Sequence, residues 1–118
     1  MHIASKQIMD ADEIAAGGSL DSEKINLNYP QGFFSLQAEI SGSGTVKFEF
    51  LLSNNGVDYL APEAGGVIVE NLDSGSGPAA DGKVFVEFSV PVAPHIMIKA
   101  AETGGASAAT VSAWLGMQ

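Results

Sequence analysis

Between Phe33 and Leu52 the chain alternates apolar and polar residues with a period of two. Phe34, Leu36, Ala38 and Ile40 fall on one side of the first run, with Phe33, Ser35, Gln37 and Glu39 on the other. In the second run Val46, Phe48, Phe50 and Leu52 oppose Thr45, Lys47, Glu49 and Leu51. Successive side chains of an extended strand point to opposite faces, so each run predicts a strand with one buried face. The link Ser41-Gly42-Ser43-Gly44 is short and glycine-rich, and it predicts that the two strands form a hairpin.

The same pattern recurs along the chain. Ile25, Leu27 and Tyr29 alternate before Pro30 and Gly32 turn the backbone. Asn54-Asn55-Gly56 is a turn signal, because Asn and Gly tolerate the positive φ that tight turns require. Val57 to Leu60 predicts a short strand, Pro62 to Gly66 a break, and Val67 to Leu72 a further strand. Asp73 to Gly82 reads as a polar loop. Val84, Val86, Phe88 and Val90 then oppose Phe85, Glu87 and Ser89. Beyond Pro91 and Pro94, Ile96, Ile98 and Ala100 alternate with His95, Met97 and Lys99. After Gly104-Gly105 a last strand sets Val111, Ala113 and Leu115 against Thr110, Ser112 and Trp114. About seven or eight strands at such spacing predict an all-β chain, an antiparallel β-sandwich with a jelly-roll-like connection.

The first eighteen residues do not alternate. Asp10, Asp12 and Glu13 precede Ile14, Ala15 and Ala16, and Gly17-Gly18 closes the stretch. A short helix capped by Asp10 or Asp12 fits this pattern. A docking arm over residues 1–18, ahead of a sandwich domain over 19–118, is the preferred reading, since termini order when something ties them down.

At 118 residues the chain is one domain, long enough to bury a modest core of its own. Its net charge of −9 comes from fourteen acids against five Lys and Arg together. All five are lysines, so the chain has neither the basic stripe of a nucleic-acid binder nor a bidentate arginine clamp. Cysteine is absent, which excludes disulfides, zinc-thiolate sites and thiol catalysis. No segment has the roughly 20 apolar residues of a membrane helix, and no signal-peptide core follows Met1, so synthesis in the cytoplasm is expected.

Candidate chemistry is sparse. His2 and His95 are the two imidazoles, and no nucleophile elbow accompanies either, so catalysis at His95 is not expected. Glu39 and Glu49, beside Lys47, read as a solvated face with cross-strand charge pairing rather than an acid-base pair. Asn71, Asp73 and Asp81, and separately Asp10, Asp12 and Glu13, offer oxygen ligands without the spacing of a calcium loop. The glycine pairs lack the Lys-Ser/Thr of a phosphate loop and are turns. We therefore expect no enzyme, cofactor or metal site. Trp114 and Tyr59 could instead form a sugar-stacking platform.

Three segments carry a resemblance that spans Ile25 to Gln118. They are Gly32-Phe33-Phe34-Ser35-Leu36-Gln37 leading into Ile40 to Phe50; Leu52-Ser53-Asn54-Asn55-Gly56-Val57-Asp58-Tyr59; and His95 to Ala100 running through Glu102-Thr103-Gly104-Gly105 to Ala113-Trp114-Leu115. Together they resemble a family of small virion structural proteins of tailed bacteriophages and prophages, the last segment resembling their closing hairpin. Asn55 stands where that family more often has Asp, and no Arg follows the closing-strand isoleucine. The resemblance implies a non-enzymatic capsid decoration or cementing protein that binds the outer shell as a homo-oligomer, a trimer being favoured. The expected partners are copies of itself and the major capsid protein or other virion proteins, with no nucleic acid and no membrane. Its expected location is the virion, reached from the host cytoplasm during assembly. Ile3, Ile8, Met9 and Ile14 of the arm, with Tyr59 and Trp114, are the candidate partner-binding residues. The alternatives are a tail, baseplate or fibre component, and a carbohydrate-binding sandwich module using Trp114 and Tyr59.

Overall fold

The computed structural model describes residues 3–27 and 32–118. Among them the chain forms nine strands and no helix: β1 (Ala4–Ile14), β2 (Ser19–Asp21), β3 (Ile25–Asn26), β4 (Phe33–Gly42), β5 (Val46–Ser53), β6 (Val67–Leu72), β7 (Lys83–Ser89), β8 (His95–Glu102) and β9 (Ala109–Met117). One sheet has the order β1-β9-β4-β7, and the other β2-β8-β5-β6 with β3 also on β8. All pairings are antiparallel. A four-stranded and a five-stranded antiparallel sheet in this order, packed face to face, make a jelly-roll-like sandwich. Tyr29 and His2 lie outside the described residues.

The inward rows match the alternation. Leu36, Ala38, Val111, Ala113 and Leu115 of the first sheet face Val46, Phe48, Ile96, Ile98 and Ala100 of the second, each fully buried. Phe88 bridges the layers: its ring stacks on Phe34 at 5.5 Å and on Phe50 at 5.6 Å between centroids. Each offset stack adds about 0.5–1.5 kcal/mol beyond the buried area.

The predicted hairpin does not form. β4 pairs with β9 and β7, whereas β5 pairs with β8 and β6, so residues 43–45 carry the chain from one sheet to the other. Alternation requires only that both apolar rows meet the core, and strands in opposite layers satisfy that as well as neighbours do. The corner is tight: Gly42 adopts φ +91°, and a Cβ on Gly44 would stand 2.8 Å from the Ser107 carbonyl oxygen. β8 and β9 likewise lie in different sheets, so the closing segment is a second corner rather than a hairpin. Of the strands consecutive in the chain, β5 and β6 alone pair with each other.

Nor do the first residues form a free arm or a short helix. β1 pairs with β9 from Ala4 opposite Met117 to Ile14 opposite Ala109, and Met9 and Ile14 are each 2% exposed in the core. Register shifts between Gln7 and Met9 and between Met9 and Asp12 reset the inward face, with Ala11 at φ +49°. Such bulges insert residues that break a period of two, which is why this strand is hidden in the sequence. The Ala11 amide donates to Ser112 Oγ at 2.9 Å and helps hold the bulge.

Two smaller expectations also change. Glu39 and Glu49 are not neighbours: Glu39 lies opposite Lys83, with 3.6 Å between the charged atoms, and Glu49 lies opposite Lys99 in the other sheet. Val57 to Leu60 is not a strand. Leu60 makes a single bridge to Leu52, with N–H to O distances of 2.8 and 2.9 Å. The Asn54-Asn55-Gly56 turn forms as read, with Gly56 at φ +73° and Asn55 Oδ1 accepting from the Val57 and Asp58 amides at 2.9 Å.

Candidate functional site

The outward face of the β1-β9-β4-β7 sheet carries the most distinctive surface. Strand pairing aligns Ser5, Gly116, Ser35 and Glu87 in one row across the four strands, and Gln7, Trp114, Gln37 and Phe85 in the next. Phe33 stands one step beyond the first row, opposite Ser89. Gly116 and Ser35 are small, so the row containing them is a depression. Its floor is close-packed: a Cβ on Gly116 would lie 2.5 Å from Ser35 Oγ.

The result is a trough of about 500 Å³ rimmed by Ile3, Phe33 and Phe85, with Glu87, Ser89 and Met117 along it. Ile3, Phe33 and Phe85 are 72%, 71% and 64% exposed, an unusual amount of bare apolar surface for one end of one sheet. Phe33 and Phe85 sit two rows apart, about 13 Å along the strands. The wall is therefore long enough for an extended segment or a protruding loop. Chemically its described lining offers apolar contact, hydroxyls and the Glu87 carboxylate.

The candidate partner-binding residues disperse. Ile3 is on the trough rim and Ile8 is half-buried against the core, while Met9 and Ile14 are core residues that no partner can reach. Trp114 is half-buried on the outward face, between Gln7 and Gln37. Tyr59 lies on the loop after β5, in the opposite sheet, with Lys24 Nζ 5.4 Å from its ring centroid. Trp114 and Tyr59 thus cannot form one sugar platform. Phe33 and Phe85, which complete the trough, were passed over in the sequence even though the alternation places both bulky rings on polar faces.

A second cluster is structural. Glu102 continues the inward row of Ile96, Ile98 and Ala100, is 3% exposed, and meets loops instead of apolar side chains. Its Oε1 accepts from the Gly17 amide at 2.9 Å and the Gly105 amide at 2.7 Å. Its Oε2 accepts from the Thr45 amide at 3.0 Å and the Gly104 amide at 2.8 Å. The Gly17 amide first, then those of Thr45 and Gly105, hold this carboxyl at a pKa of about 2, against the opposing effect of burial. One side chain thereby ties the β1–β2 turn, the β4–β5 corner and the β8–β9 turn together. His95 is also engaged structurally, its Nδ1 hydrogen-bonded to Asn26 Oδ1.

No family model matches the chain, and no curated protein matches it in sequence. Solved structures do share its fold. The SPBc2 prophage-derived protein YomS aligns over 98% of this chain and 92% of its own, at 12% identity and a TM-score of 0.54. Infectious bursal disease virus VP2, from a subviral particle, aligns over 98% of this chain at 11% identity and a TM-score of 0.63. Tripeptidyl peptidase 2 aligns over 91% at 10% identity and a TM-score of 0.62. The chain spans about a third of VP2 and about a tenth of the peptidase, but nearly all of the prophage protein. At these identities the likeness lies in the fold: this chain has the sandwich of a prophage-derived protein and of a viral capsid domain.

Proposed function

We propose that this protein is a structural component of a phage or prophage virion, a decoration or cementing protein that binds the capsid exterior as a homo-oligomer. The observation that carries this reading is the end-to-end fold match with a prophage-derived protein of nearly the same extent. The capsid likeness supports it from a second direction. The mechanism is binding: a rigid sandwich presents the Ile3–Phe33–Phe85 trough, where burial of the exposed rings drives docking onto neighbouring virion subunits. This trough replaces the N-terminal arm as the docking element.

The test is mass spectrometry of purified particles from the strain that carries the gene, with heads and tails separated. Presence on heads supports the reading, and presence on tails alone moves the protein to a tail, baseplate or fibre role. Absence from both overturns a virion role.

A further inference from the structure

An exposed sheet edge offers a row of unpaired amides and carbonyls to any other strand, and proteins usually blunt such edges. Among the described residues, the edges of this sandwich are blunted with one exception. β2 and β3 have three and two residues. β1 is bulged at two places, and β6 pairs with β5 through two register shifts. β7 differs: its seven residues pair with β4 in unbroken register, and it has no bulge or proline.

The direction of its free groups follows from hydrogen bonds at the ends of β4. Phe33 exchanges bonds with Gln118, toward β9, whereas the Ile40 amide donates to Gly82, toward β7. Backbone groups of successive residues point to opposite sides of a strand, so the even residues of β7 bond β4 and the odd ones face outward. The Lys83 end of the edge is covered: its amide is taken by Asp81 Oδ1 at 3.2 Å, and Gly77 packs against its carbonyl. Phe85 and Glu87 are left with outward donors and acceptors. Val84, Val86 and Phe88, packed on the core from this edge, remain half-buried.

We propose that β7 is a self-pairing edge: two copies of the chain join antiparallel across a twofold axis at Val86, fusing their four-stranded sheets into one of eight. Phe85 of each copy then lies opposite Glu87 of the other and exchanges both backbone bonds with it. Val84 meets the second Phe88 inside. Charge favours a second copy as the occupant. Lys83 of each protomer, which faces Glu39 of its own chain at 3.6 Å, falls one diagonal step from the second Glu87, within reach of a long side chain that bridges both carboxylates. The two lysines offset the approach of the two Glu87 carboxylates, which make no ion pair within the protomer among the described residues. This inference stands on the edge itself and does not depend on the virion reading.

Light scattering of the full chain over a concentration series, with amide exchange, tests it. The expected species has twice the 12.1 kDa chain mass, and its Phe85 and Glu87 amides lose protection on dilution while those of Val84, Val86 and Phe88 keep theirs. Lys83→Glu or Glu87→Lys alone gathers four like charges and weakens pairing at least about tenfold, and the double swap restores it. Phe85→Pro removes an outward backbone donor and leaves the β4 pairing of Val84 and Val86 in place, so it gives a folded monomer that unfolds cooperatively. A monomer at every concentration, a trimer, a failed charge rescue or a Phe85→Pro dimer each overturns the proposal.

Discussion

Glu102 shows how one residue can serve several loops at once. Its carboxylate accepts from four backbone amides that belong to three separate connections. Glu102→Gln keeps the shape but replaces one acceptor oxygen with a donor facing those amides. We expect a fall of several degrees in melting temperature. The pH dependence has a definite sign. Because the folded pKa of about 2 lies below the ordinary 4.5, the stabilisation from Glu102 is fully present above pH 4.5. It is lost as pH falls from about 4.5 to about 2, so thermal melts across that window should slope less for Glu102→Gln than for the parent chain. Equal slopes would remove the clamp from the account of acid stability. Among core residues, Phe48 is fully buried between the sheets, and Phe48→Ala should cost about 3–5 kcal/mol by chemical denaturation.

Elements in this protein are positioned by the corners between sheets rather than by hairpins. The β4–β5 corner works because Gly42 takes a left-handed φ and Gly44 lets the backbone approach residues 107–109. Gly44→Ala should destabilise the fold by about 1–3 kcal/mol, since the added methyl meets backbone oxygens at 2.8 and 3.0 Å that side-chain rotation cannot clear. A denaturation midpoint equal to that of the parent would mean the corner can relax. β1 gives a second prediction at this scale. Its removal uncovers β9 and takes Met9 and Ile14 out of the core, so a chain starting at Ser19 should lose cooperative unfolding. A truncated chain that melts cooperatively, with docking alone impaired, would return β1 to the role of an arm.

For the whole molecule, the surface that folding buries is separate from the face proposed for docking. The inward rows hold the sandwich together, whereas Phe33 and Phe85 point away from it and are largely exposed. Replacing both with Ser should leave stability within about 0.5 kcal/mol per site while weakening attachment to purified particles by tenfold or more. Titration of labelled protein onto particles stripped of it reads the difference. Undiminished attachment would move docking to another face.

Much of this architecture was legible in the residues. The period of two from Phe34 to Leu52, and again from Val84 to Leu115, specified half-buried strands and their inward rows, because alternation follows from local backbone geometry. The turn at Asn54-Asn55-Gly56 was equally local, resting on side-chain caps and one positive φ. Glu102 could have been noticed as a charge continuing the apolar row of β8, and Phe33 and Phe85 as rings on polar faces. Other features lay beyond local reasoning. Alternation states which way a side chain points but not which strand lies beside it, so Ser41 to Gly44 read as a hairpin although they lead into a corner. Bulges erased the period in β1, and only pairing with β9, about a hundred residues away, defines it as a strand. The trough is likewise tertiary: Ile3, Phe33, Phe85 and Gly116 come from four separate segments, and sheet order alone makes them neighbours. Sequence by itself determined the class of fold and the face each strand buries, because both are set within a few residues. The tertiary structure decided the partners of each strand, the clamp and the exposed trough, because these depend on contacts between distant parts of the chain.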